Sequence, residues 1–323
     1  MKYLIIGAGA TGCAVGAHLA NSGKDVTFIA RGRTLEALEK DGMTVIKPAG
    51  NFKIHPVKVF SMEGYGQEHE KNGETPDIIF VCVKGYSIDE TIPFIKRIAG
   101  SKTIVIPILN IYTTGEKMQI QLPEVLVTDG CIYVAAEITE PGTVLMHGDI
   151  LRVVFGLRDI ADKDGNDTKG AYSESLQSLE RIYEDLNESG ILGILSKNIR
   201  RDALMKFAYV SAQSACGVYY DVPAGPMQRA GEIRDCFAVL VGEIVKLANA
   251  MGITFEENLV ERNLKILDDL DPEFTTSMQR DLMTGKKSEI DGQIYEVIRT
   301  AHRLGVELPT YENIAAELKR KYQ

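Results

Sequence analysis

The sequence lacks most of what would mark a membrane, metal or nucleic-acid protein. Across 323 residues no apolar run approaches the roughly 20 that a membrane-spanning helix needs. Positive charge is in deficit: 36 Lys and Arg against 45 Asp and Glu leave a net charge of −9, which argues against a phosphate-backbone partner such as DNA or RNA. The five cysteines (Cys13, Cys82, Cys131, Cys216 and Cys236) are odd in number and scattered, with no C-x-x-C. They form neither a disulfide framework nor a zinc pattern, and buried free thiols are expected. The five histidines also lack metal-ligand spacing. No internal repeat is visible. What remains is a globular composition, 45% hydrophobic, long enough for about two domains and expected in the cytoplasm.

What is present begins at once. Tyr3–Ile6 is an apolar run of strand length, and it stops at Gly7, Gly9 and Gly12, a G-x-G-x-x-G whose intervening residues include Ala10 and Thr11. An amphipathic run, Ala10–Asn21, follows. Gly7 allows a tight turn, Gly9 lets the backbone approach a pyrophosphate, and Gly12 lets helix and strand pack closely. Free N–H groups of the helix's first turn would then face the phosphates. Strand, glycines and helix in this order predict a dinucleotide site.

The next strand, Asp25–Ala30, should end in an acid if the ribose carries a free 2′-hydroxyl. That carboxylate is missing, and Arg31-Gly32-Arg33 stands in its place. A guanidinium suits a 2′-phosphate because its planar fork can bind bidentately, so NADP is expected. Thr44–Ile46 and Phe52–Phe60 read as short strands, and the charged, glycine-containing Glu63–Thr75 as a loop. Asp77–Val83 and Thr103–Leu109 are continuous apolar strands of the kind covered on both faces, ending at Lys84 and Asn110. Val125–Ala136 and Val144–Phe155 are further strands, and Asp159–Gly170 is a polar loop. Ser173–Ser189 is helical and Gly190–Leu195 strand-like. Helices then follow at Ile199–Cys216, Met227–Ala250, Phe255–Leu267, Thr276–Thr284, Ser288–Leu304 and Tyr311–Tyr322. The fold class is α/β: a Rossmann-type doubly wound sheet over residues 1–194, then an all-α domain over 195–323.

One lysine stands where lysine is costly. Leu204, Met205, Phe207, Ala208 and Val210 flank Lys206, and a lysine desolvated in this way has a lowered pKa and can donate a proton near neutrality. Helical spacing sets Tyr209, Val210, Gln213 and Ser214 on its side of the helix. A lysine snorkelling at the helix surface is the other reading, and position alone does not choose between them.

Taken together, the G-A-G-A-T-G turn, the strands ending in Lys84 and Asn110, the helical K-F pair, Ser277-Met278, Ser288-Glu-Ile-Asp291 and Gly305-Val-Glu-Leu-Pro309 resemble the ketopantoate reductase family along essentially the whole chain. The resemblance implies NADPH and a small 2-oxo acid in a cleft, with no nucleic acid or membrane partner, and it leaves a homodimer open. The implied reaction is reduction of 2-dehydropantoate to pantoate by hydride from nicotinamide C4. Lys206 would be the general acid, Glu289 its partner, Ser277 the carboxylate ligand, and Asn110 a cleft residue counted with both substrate and cofactor. Arg31 and Lys84 would contact the cofactor together with Gly7, Gly9, Ala10, Thr11 and Gly12.

The chain departs from the family at Val210 and Ser214, which stand where substrate-gripping asparagines are usual; Ser214 is kept as a candidate substrate ligand. Ile111 and Tyr295 stand where glycines are usual. A reductase of a different 2-oxo acid or ketone, and a non-catalytic NADP-binding sensor, are the alternatives.

Overall fold

The computed structural model describes residues 1–158 and 169–322. The chain divides into two compact units, Met1–Leu109 with Thr113–Ile199, and Asn110–Tyr112 with Arg200–Gln323. The expected polar loop at 159–170 lies outside the described residues except at its end, where a helix has already begun.

The first unit starts β1 (Lys2–Ile6), α1 (Ala10–Asn21), β2 (Asp25–Ile29), α2 (Gly32–Asp41), β3 (Met43–Ile46), β4 (Phe52–Ile54), β5 (Lys58–Phe60) and α3 (Met62–Asn72). It continues β6 (Ile78–Val81), α4 (Ile88–Ile98), β7 (Ile104–Pro107), α5 (Thr114–Gln121), β8 (Leu126–Val127), β9 (Asp129–Glu140), β10 (Thr143–Gly156), α6 (Lys169–Glu188) and β11 (Leu192–Leu195). Six of the strands form a parallel sheet in the order β5-β2-β1-β6-β7-β8. The order runs outward in opposite directions from β1 and β6, which makes the carboxyl ends of that pair the switch point where ligands bind in such sheets.

The continuous apolar runs follow from burial on both faces. Tyr3, Ile5, Phe28 and Phe80 join one core, while Leu4, Ile6, Ile79 and Val81 join another on the opposite side. At roughly 1.5–3 kcal/mol for each large side chain, these layers are the main drive for the sheet. A second sheet is built on the long β10. It pairs antiparallel with β9 along one edge, and parallel with β3 and then β11 along the other.

Several expectations are corrected. Most of the expected loop Glu63–Thr75 is helix α3, which runs to Asn72. Ser61 caps its start by accepting from Gly64 N–H at 3.0 Å, Gly73 ends it at φ 67°, and Arg97 pairs with Glu63 and Glu70 along its side. Phe52–Phe60 is two strands in different sheets, because the chain leaves β4 beside β3 and enters β5 beside β2. Arg31 is the N-cap of α2, whose first residues are Gly32 and Arg33. Of the five thiols, Cys82 and Cys236 are only half-buried.

The second unit contains α7 (Ile199–Tyr220), α8 (Ala224–Gln228), α9 (Glu232–Ala250), α10 (Leu259–Asp268), α11 (Ser277–Met283), α12 (Glu296–Arg303) and α13 (Pro309–Tyr322). The single helix expected at Met227–Ala250 is broken before α9, where Gly231 adopts φ 138°. The expected Ser288–Leu304 helix opens instead with a π turn, Asp291–Tyr295. Helix α7 is central: residues 211–218 are all buried, with Ala208, Ala212 and Ala215 in the same core as Phe237, Leu240 and Ile244 of α9. Among the described residues no helix is long and apolar enough to cross a membrane.

Candidate active site

In the first unit the three glycines have separate reasons. Gly7 sits at φ 105°, and a Cβ there would lie 3.0 Å from the Cys82 carbonyl carbon and the Val83 nitrogen. A Cβ on Gly12 would lie 2.0 Å from the Gly7 carbonyl oxygen. Packing therefore excludes a side chain at both. Gly9 is different: its φ of −87° suits any residue, and a Cβ there would meet nothing within 4 Å. The protein's own contacts do not require glycine at that point, whereas a ligand lying against the backbone would. Gly9 is the N-cap of α1 and supplies no side-chain cap, so the first-turn N–H groups of Ala10, Thr11 and Gly12 have no intrahelical acceptor. Donors arranged in this way are what an anion such as a dinucleotide pyrophosphate requires.

Basic residues flank the glycine turn on both neighbouring strands. Lys84, half-buried, follows the Cys82–Val83 segment against which Gly7 packs. Arg31 caps α2 just past the end of β2; its guanidinium is largely exposed and lies 3.6 Å from Glu90. Exposed pairs of this kind are worth about 0–1 kcal/mol, so the guanidinium can be redirected to a phosphate at small cost.

In the second unit a triangle of contacts surrounds Lys206. The residue is 8% exposed, and its ammonium donates a hydrogen bond to Asn110 Oδ1. It does not snorkel to the surface, which decides between the two readings of the sequence. The next residue, Ile111, packs on the π turn: a Cβ on Gly292 would come within 2.4 Å of Ile111 Cδ1. The π turn in turn reaches back to α7, because Ser211 Oγ donates to the Gln293 carbonyl at 2.6 Å and also bonds Tyr311 at 2.7 Å. A π turn shifts carbonyls out of the regular ladder, and a buried hydroxyl here satisfies one of them. Tyr112 adds a ring contact to Phe207, with centroids 6.0 Å apart. These contacts tie Asn110–Tyr112 to the helical unit although the segment follows β7 in sequence.

The remaining candidates divide. Glu289 is buried (5% exposed) at the entry to the π turn, and its carbonyl accepts from Gln293 N–H. Ser277 is the first residue of α11 but does not cap it. Thr276 does, in a reciprocal box with Gln279, which leaves the Ser277 hydroxyl out of the cap. Ser214 is 0% exposed, and its hydroxyl is buried without a hydrogen-bond partner among the described residues. One turn on, the Gln279 side chain occupies the space a Cβ on Gly217 would take. Val210, between Lys206 and Ser214, stays half-buried. Sequence reasoning missed the roles of Gly292 and Ser211. Only the unusual Ile111 beside Asn110 hinted that a hole must exist to receive it.

Residues 3–159 match the sequence model of the ketopantoate reductase PanE/ApbA family, and residues 198–322 match that of its C-terminal domain. An uncharacterised oxidoreductase, YkpB, of Bacillus subtilis is 25% identical over 99% of this chain and 98% of its own length. The 2-dehydropantoate 2-reductase of Pyrococcus horikoshii is 28% identical, over 99% of this chain and 97% of the relative. Among solved structures, a PanE/ApbA family ketopantoate reductase from Ralstonia eutropha superposes with a TM-score of 0.83 at 22% identity, covering 99% and 97% of the two chains.

Proposed function

Since the chain belongs to the ketopantoate reductase PanE/ApbA family, whose members are NADP-dependent oxidoreductases of 2-oxo acids, we propose that it reduces 2-dehydropantoate or a close relative with Lys206 as proton donor. The observation that carries this reading is a buried lysine with its ammonium directed at Asn110. When bound, NADPH supplies the hydride that adds to the keto carbon. As the carbonyl oxygen becomes an alkoxide it needs a proton, and Lys206 Nζ gives one. An ammonium has three N–H donors; Asn110 takes one and fixes the direction of the others. Glu289 balances the charge of the buried ammonium, since an ionised lysine is costly to bury alone. Ser277 holds the substrate carboxylate, and Arg31 with Lys84 holds the cofactor phosphates.

The test is oxidation of NADPH, followed by absorbance, across a panel of 2-oxo acids, with Lys206→Ala, Glu289→Ala and the double variant. Turnover should fall in each single variant, and the double variant should lose much less than the product of the two losses, because groups acting as a unit are not additive. Independent effects, or no turnover of any 2-oxo acid by the unmodified protein, would overturn the proposal.

A further inference from the structure

The half-buried residues around Lys206 include Asn110, which it engages, Tyr209, whose ring packs edge-on against Phe237, and two aliphatic side chains. Val210 lies one helical turn beyond Lys206 on the same side of α7 and is half-buried. Ile111, next to the asparagine that holds Lys206, is also half-buried and is seated against Gly292. The hydroxyls on that side of α7, those of Tyr209 and Ser214, are both covered. A substrate that brings its keto oxygen to Lys206 therefore meets two branched aliphatic side chains and no polar group from these positions.

Building on the proposed function, we propose that Ile111 and Val210 are specificity-determining residues that select a 2-oxo acid with a branched, apolar side chain. The protein reads the branching of such a substrate and gains nothing from a hydroxyl at its end. The reasoning is a contrast of two pockets. A site built to hydrogen-bond a hydroxyl rejects the analogue lacking it by about 10⁴–10⁵, because its own polar groups are left unpaired; an apolar site has no such groups and favours the deoxy compound by up to about 10². Gly292 belongs to the device, because only a residue without Cβ leaves room for Ile111 in its present place.

Two compounds that differ by one hydroxyl make the test: 2-dehydropantoate and 3,3-dimethyl-2-oxobutanoate, each assayed for kcat/KM with NADPH. The deoxy compound should be used at least as well, by about tenfold at the centre of the expected range. Val210→Asn should move the ratio toward 2-dehydropantoate by roughly tenfold, with Val210→Thr, nearly isosteric, moving it in the same direction if the asparagine variant does not fold. NADPH affinity, measured in parallel, should stay unchanged. A preference of the unmodified protein for 2-dehydropantoate, or a ratio that neither variant moves, overturns this inference. Failure to reduce either compound or any other 2-oxo acid overturns instead the function on which it rests.

Discussion

Each unit buries a base on a helix, and the two are buried differently. On α1, His18 is 5% exposed; its Nδ1 contacts the Ala14 carbonyl of the same helix at 2.7 Å, and its Nε2 lies 3.0 Å from Lys47 Nζ. On α7, Lys206 is 8% exposed but reaches a side chain 96 residues away in sequence. The histidine is closed within its own neighbourhood, with the Phe52 ring edge-on beside it. The lysine is held by a segment that also seats Ile111 on the π turn. Burial alone thus says little about function; what distinguishes Lys206 is a partner that aims it. The glycine turn of the first unit, by contrast, offers backbone N–H groups.

The sharpest way to break this contrast is Lys206→Ala. If the lysine serves chemistry alone, kcat should drop by about 10²–10⁴, the usual worth of a general acid, while the dissociation constant for NADPH stays within about twofold. Near-normal kcat would reduce Lys206 to another His18, buried for packing.

Gly12→Ala asks the reverse question of the first unit. The added Cβ collides with backbone, the Gly7 carbonyl, which cannot swing aside as a side chain would. Overpacking of this kind costs about 1–3 kcal/mol of stability, so the melting temperature should fall, and the displaced turn should bind NADPH more weakly. An unchanged affinity in fluorescence titration would show that the glycine turn does not depend on the close approach of α1 to β1.

Arg31→Ala should have a smaller effect, confined to one cofactor. Loss of a charge-assisted bond to a 2′-phosphate is worth about 1.5–3 kcal/mol, which weakens NADPH by about tenfold or more and leaves NADH untouched. Equal losses for both cofactors would place Arg31 on a phosphate they share, and no loss would leave it to Glu90.

Legibility follows the same contrast. Helix α1 was readable from Ala10 to Asn21 because its signals are local: an apolar run, three glycines, then helical periodicity. Helix α3 was not, because its ends are set by Ser61 and Gly73 and its flank by the distant Arg97. Its apolar contacts come from only Met62 and Tyr65 rather than a full stripe. In the site, the apolar flanks of Lys206 marked the residue. Its partner Asn110 was placed in the site by family resemblance, since no local pattern joins positions so far apart. Periodicity set Ser214 on the side of Lys206, yet it could not foresee that the residue is completely buried. The π turn left no local signal, being held open by Ser211 from another helix.

The smallest expected effect concerns His18 and stability rather than activity. Burial disfavours its charged form first, and nearby Lys47 adds to this, against the opposing Ala14 hydrogen bond; the net result is a pKa below the ordinary value. The sign follows from which state binds the proton. Above about pH 6.5 His18 is neutral in both folded and unfolded chains and contributes no pH dependence. Below it, the unfolded chain takes up a proton that the folded chain refuses. Unfolding then becomes easier by at most about 1.4 kcal/mol per pH unit, until the folded pKa is reached. His18→Gln should remove that component, so the difference in urea unfolding free energy between the variant and the unmodified protein should be flat above pH 6.5 and should change in the variant's favour as pH falls to 5. Lys47→Met should flatten it only in part, because burial is the larger cause. Stability curves for His18→Gln and the unmodified protein that stay parallel from pH 8 to 5 would mean that His18 takes its proton while folded. The first unit would then hold a charged buried base of its own, and the contrast with Lys206 would lose its footing.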